Sequence, residues 1–121
     1  MKKKKKKKKQ RKKRLKAFAE RVEFWQAYLN LDSWDAYVEQ GSLRDGTLAD
    51  VSRCVDSRCA VVRLHDADPK LKICLDELAK HEILHLLLSD MSALAHSREA
   101  THDQISREEE TLVVKLCRLI G

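Results

Sequence analysis

The sequence predicts an α+β domain: an N-terminal helix, a small three-stranded antiparallel sheet, a central helix and a C-terminal helix. Three observations lead there. Leu15, Phe18, Val22, Phe24, Trp25 and Leu29 recur at close to helical spacing. Three short runs follow, carrying β-branched or aromatic residues and bounded by turn formers. From Lys70 onward the apolar positions return to a helical period.

Taken in order, the first helix is expected over about 14–29. Leu31-Asp32-Ser33 turns the chain into WDAYVEQ, a strand over about 34–39. Asp45-Gly46 is a turn signal, and strands over 49–55 and 59–65 flank Asp56-Ser57. The order of short runs and tight turns suggests antiparallel pairing throughout. Pro69 suits the first turn of a helix, since its missing N–H is an orphan there in any case. Leu71, Cys74, Leu75, Leu78, Leu84, Leu87 and Leu88 then keep helical spacing. Ile83 to Leu88 is apolar nearly all round, which marks the buried central helix. The stretch after it loosens into a connection. Thr101 or Asp103 would cap a last helix, ISREEETLVVKLCRLI, ending at Gly121.

The net charge of +6 averages two opposite regions. Residues 1–16 hold 13 of the 25 Lys and Arg and none of the 19 acids. That leaves 12 basic against 19 acidic residues, a balance of −7, in 17–121. We read 1–16 as a polybasic arm, disordered by its own repulsion, ahead of one folded domain over 17–121. The arm offers a non-specific nucleic-acid contact through residues 2–16, driven by counterion release. It holds no interleaved aromatic residue to stack on bases, so charge alone would carry that contact. AFAERVEFWQAY, after the lysines, carries charges where a signal peptide needs an apolar stretch. No run of about 18 apolar residues is present, so no membrane span is expected. Cys54, Cys59, Cys74 and Cys117 form no CxxC pair, and 54 to 59 is too wide for a zinc-ribbon knuckle. Reduced thiols in the cytoplasm are the expectation, with Cys74 and Cys117 packed as small hydrophobes.

The central helix carries AKHEILHLLL. Positions i and i+4 of a helix share a face, so His81 and His85 can turn both imidazoles to one metal ion. Glu82 is rotated past the metal but within reach of a water bound to it. This is the HExxH arrangement: two neutral nitrogen ligands and a carboxylate acting as general base. The ion implied is Zn2+. Two histidines and a glutamate in the most apolar helix are costly to bury without a purpose.

A zinc site needs a third protein ligand. The extension HExxHxxGxxH is excluded, because Leu88 stands where it needs Gly and Met91 where it needs His. Glu108, Glu109 and Glu110 open the last helix, whose apolar stripe runs Ile105, Leu112, Val113, Leu116, Leu119 and Ile120. Glu109 shares the phase of that stripe and is the favoured third ligand. Glu108 and Glu110 lie to the sides and complement the helix dipole. His96 and His102 are the competing ligands, and His65 has no assigned part.

WDAYVEQGSL, CAVVRLH, LAKHEILHLLL and EEETLVVKL together resemble small phage- and prophage-associated metallopeptidases of the minimal zincin type, with a gluzincin-like third ligand. The resemblance covers about 34–120 and does not include the lysine arm. It implies a helix on a small sheet, with substrate peptide adding as a strand to the sheet edge. By position, CAVVRL would be that edge. It also implies His81 and His85 as zinc ligands, Glu82 as base and an acid from the last helix. The expected function is zinc-dependent hydrolysis of peptide bonds through a metal-activated water, on a protein or peptide substrate. The alternative is a zinc-stabilised, non-catalytic binding module whose basic arm meets nucleic acid.

Overall fold

The computed structural model describes the backbone of residues 2–120 and the side chains of 3–119. The expected helix end at Gly121 and the Ile120 side chain lie outside these described residues. The elements run α1 (Lys2–Tyr28), β1 (Asp35–Gly41), β2 (Ala49–Cys54), β3 (Cys59–His65), α2 (Leu75–Leu87), α3 (Ser89–His96) and α4 (His102–Ile120). The α+β class and all three strands therefore stand where the sequence put them.

α1 begins at Lys2 rather than near residue 14, and so takes in the arm that was expected to be disordered. Lysine is a good helix former and no Gly or Pro interrupts the run. Among the described residues, the ion pair and side-chain hydrogen bonds of the basic stretch lie in its C-terminal part. Arg11 pairs with Asp66 at 3.0 Å. The Arg14 guanidinium donates to the carbonyls of Asp68, Pro69 and Leu71. Leu15, Phe18, Val22 and Trp25 form the stripe of α1 that packs into the core, and Leu29 continues it just past the helix end. The helix stops in a Schellman turn: Asn30 takes φ 58°, its N–H reaches the Ala27 carbonyl, and the Leu31 N–H reaches Gln26.

The sheet corrects one expectation. Its order is β1-β3-β2, with β1 parallel to β3 and β2 antiparallel to β3, so it is mixed rather than antiparallel. The tight turn does join β2 to β3, with Cys54 facing Cys59 in the register. Residues 42–48 instead carry the chain from one edge across the end of β3 to the other edge. His65, at the end of β3, holds that crossing: its Nδ1 accepts the Leu43 N–H at 3.0 Å, and its own N–H reaches the Leu48 carbonyl. A second correction follows. β3, CAVVRLH, is the central strand, and β2 is the edge strand in contact with α2.

One face of the sheet is covered. Ala60, Val62 and Leu64 of β3 are buried beneath α1 and α2, which bring Phe18, Val22, Ala79, Ile83 and Leu86. The first turn of α2 is anchored to α1 through Asp76, which accepts from Arg21 Nε (2.6 Å) and Trp25 Nε1 (2.9 Å). α2 starts at Leu75 and not at Pro69, because Asp68-Pro69-Lys70-Leu71 closes a turn, with the Leu71 N–H on the Asp68 carbonyl. The expected loose connection contains α3. α4 opens on a capping box: Thr101 Oγ1 accepts from the Gln104 N–H, and Gln104 Oε1 from the Thr101 N–H. No helix among the described residues is long and apolar enough to cross a membrane.

Candidate active site on the second helix

α2 buries Ala79, Glu82, Ile83, Leu86 and Leu87. At 100° per residue these five centre on one side, which leaves His81 and His85 together on the outer side. Their ring centroids are 5.0 Å apart, edge to face, and both side chains are exposed. Glu82 lies between the two sides, at the border with β2, and only 5% of its surface is exposed. Beside it, a cleft of about 630 Å³ opens between Gly46–Ala49 and α2, lined by His81, Glu82, Glu77 and Lys80.

Electrostatics act in opposite directions on Glu82 and His85. Burial pushes the Glu82 carboxyl up, against a lowering by His81, and Asp50 on β2 adds to the rise. His85 is pushed below the ordinary imidazole value by desolvation, with His81 and Arg53 of β2 acting in the same direction. A neutral imidazole is the form that binds a metal, and a carboxylate whose basicity is raised by burial is suited to accept a proton. The edge strand thus contributes Arg53 on the helix side, while Asp50 acts on Glu82 from the opposite sheet face, where it pairs with Arg63 at 3.1 Å. Sequence reading missed both, and strand alternation was the available signal for Arg53 alone. In the register Arg53 faces Ala60 and so lies on the sheet face covered by the helices.

The acids of α4 are arranged differently from the expectation. The packed side of α4 is Glu108, Leu112, Lys115 and Leu119, while Ile105, Val113 and Leu116 stay exposed. Only part of the apolar stripe is therefore used, and the helix is turned so that Glu109 faces outward. Glu108 is half-buried instead, and burial and Asp90 push its carboxyl up, while Lys115 and Arg58 oppose the rise. It belongs to a cluster at the hairpin end, where Arg58 pairs with both carboxylate oxygens of Asp90 (2.6 and 2.9 Å). The same guanidinium lies 5.0 Å from the centroid of buried Trp34. Glu110 and His102 are exposed. His96 is also exposed, and its Nδ1 is engaged with the Ser92 carbonyl one turn back on α3. Cys74 and Cys117 are exposed as well, against the expectation that both pack inside.

His81, His85 and Glu82 are thus brought together, whereas Glu109 is not gathered with them. Among the described residues, no group of three or more His, Cys, Asp or Glu is placed to hold a metal ion. The donor set fits a metal in part: two imidazoles at i and i+4, with a buried carboxylate alongside. Compared with models of protein families, with curated proteins and with solved structures, the chain matches none.

Proposed function

We propose that the chain is a zinc-dependent metallopeptidase-like hydrolase of the minimal zincin kind, acting on a protein or peptide substrate. The observation that carries the reading is the placing of Glu82. It is a nearly buried carboxylate on the rim of a cleft, one residue from an exposed, paired His81 and His85. His81 and His85 would hold the ion, which when bound would polarise the substrate carbonyl and acidify water. Glu82 takes the proton from the attacking water and passes it to the leaving amine. β2 offers a free strand edge next to the cleft, where an extended peptide can add by main-chain hydrogen bonds. The expected result is cleavage of a peptide library by the zinc-loaded chain, stopped by a chelator and restored by added zinc. A library left intact with zinc bound would overturn the catalytic reading.

One observation favours a second reading, a zinc-stabilised module that binds nucleic acid without cleaving anything. Lys3 to Lys9 are exposed on a single helix, and Arg11 and Arg14 fix that helix to the domain. Residues 2–13 contain no apolar side chain, so this stretch has no face to bury in a bilayer. Phosphate contacts would release counterions. Replacing the seven lysines with Gln should therefore reduce the slope of log K against log[salt] for duplex DNA by up to about 6. An unchanged slope would remove the arm from the account.

A further inference from the structure

The far side of the sheet carries a pair of groups that the site on α2 does not use. Cys54 and Cys59 are register partners at the closed end of the β2–β3 hairpin. Residues directly opposite in an antiparallel pair project to the same face. Their neighbours Arg53 and Ala60 face the helices, so the two thiols share the open face. Both are free cysteines, Cys54 exposed and Cys59 partly so. Opposed residues of antiparallel strands have Cα atoms about 4.5 or 5.5 Å apart, according to the type of pair. Either spacing falls inside the range of about 4.4–6.8 Å that a disulfide spans. The register thus brings the two cysteines within the span of a disulfide.

We infer that Cys54 and Cys59 form a reversible dithiol–disulfide site, oxidised by low-molecular-weight disulfides. Ser57, in the turn between them, sets their roles. The Cys59 thiol donates to the Ser57 carbonyl at 3.6 Å. Hydrogen bonds from the Ser57 side chain and backbone hold the Cys54 thiol below the ordinary thiol range, against a smaller opposing effect of desolvation. Cys54, the more exposed of the two, is the attacking thiolate and Cys59 the resolving thiol. Cys54 sulfur bonds to one sulfur of the small disulfide as its S–S bond breaks. The released thiolate takes up the proton that Cys54 gave. Cys59 then loses its proton and attacks the Cys54 sulfur, and the second small thiol leaves carrying that proton. The chain loses two electrons and two protons, and the small disulfide becomes two thiols. The product ties the end of β2, which bears Arg53, to the central strand.

Trypsin supplies the readout, because Arg53, Arg58 and Arg63 flank the two cysteines. The reduced full chain is incubated with oxidised glutathione under native conditions, blocked with an alkylating agent and digested. The result expected is peptide 54–58 joined to peptide 59–63, and their separation on reduction. Cys59→Ser should retain glutathione on Cys54. Cys54→Ser should take it up at Cys59 more slowly than Cys59→Ser does at Cys54. Both cysteines recovered as separate alkylated peptides, or bridges running instead to Cys74 or Cys117, would overturn the inference.

Discussion

Glu82→Gln is expected to lower peptide hydrolysis by about 10²- to 10⁴-fold, the usual contribution of a positioned general base, while zinc binding is retained. The substitution preserves the shape of the side chain and removes only its charge and its basicity. The same change should raise stability at neutral pH by about 0.5–2 kcal/mol, as relief of a strained functional group commonly does. Glu82 is nearly buried and its folded carboxyl titrates above the ordinary value. The ionised form therefore costs folding free energy above that folded pKa. As pH falls through it, the native carboxyl protonates and the penalty disappears. The stability advantage of Gln should accordingly shrink on acidification. Thermal melts of both proteins across the acid range check this half, and peptide cleavage checks the other. A variant as active as the wild type would remove Glu82 from its assigned role.

Phe18→Ala should destabilise the chain by about 3–5 kcal/mol, a large share of the 5–15 kcal/mol typical of a domain. Phe18 is fully buried, on the stripe of α1 that packs with α2 over the sheet. The ring leaves a cavity between two helices and a strand, and α1 is anchored on either side of Phe18, by Arg14 and by its Schellman turn. Collapse around the void is thereby restricted. An exposed lysine ten residues earlier on the same helix provides the contrast: Lys8→Ala should stay within about 0.5 kcal/mol of wild type. Urea unfolding of the two variants measures both values. A small effect of Phe18→Ala would mean that α1 is not integral to the core.

Much of the fold was legible because each element carries its own period. Val38, Val51, Val61 and Val62 sit in short runs cut by Asp45-Gly46 and Asp56-Ser57, so all three strands were found close to their ends. Strand order was not legible, since pairing belongs to no single run. β1 lies parallel to β3 because residues 42–48 cross over the end of β3, and His65 supports the crossing through Leu43. No feature of the sequence links those two positions. The helical site read well for the same local reason: His81, Glu82 and His85 depend only on the geometry of one helix. Glu109 depended on how α4 is rotated against its neighbours. Its apolar stripe is wider than the surface available to cover it, so the phase of Leu112 was readable and that of Glu109 was not. Cys54 and Cys59 were weighed as a zinc knuckle, and their opposition across a hairpin emerged only with the register.

The central claim is that His81 and His85 form a metal site, and zinc stoichiometry after dialysis tests it most directly. About one zinc per wild-type chain is expected, lost in both His81→Ala and His85→Ala and retained in Glu82→Gln. A wild-type chain that holds no zinc, or a double histidine variant that holds as much as wild type, would contradict it.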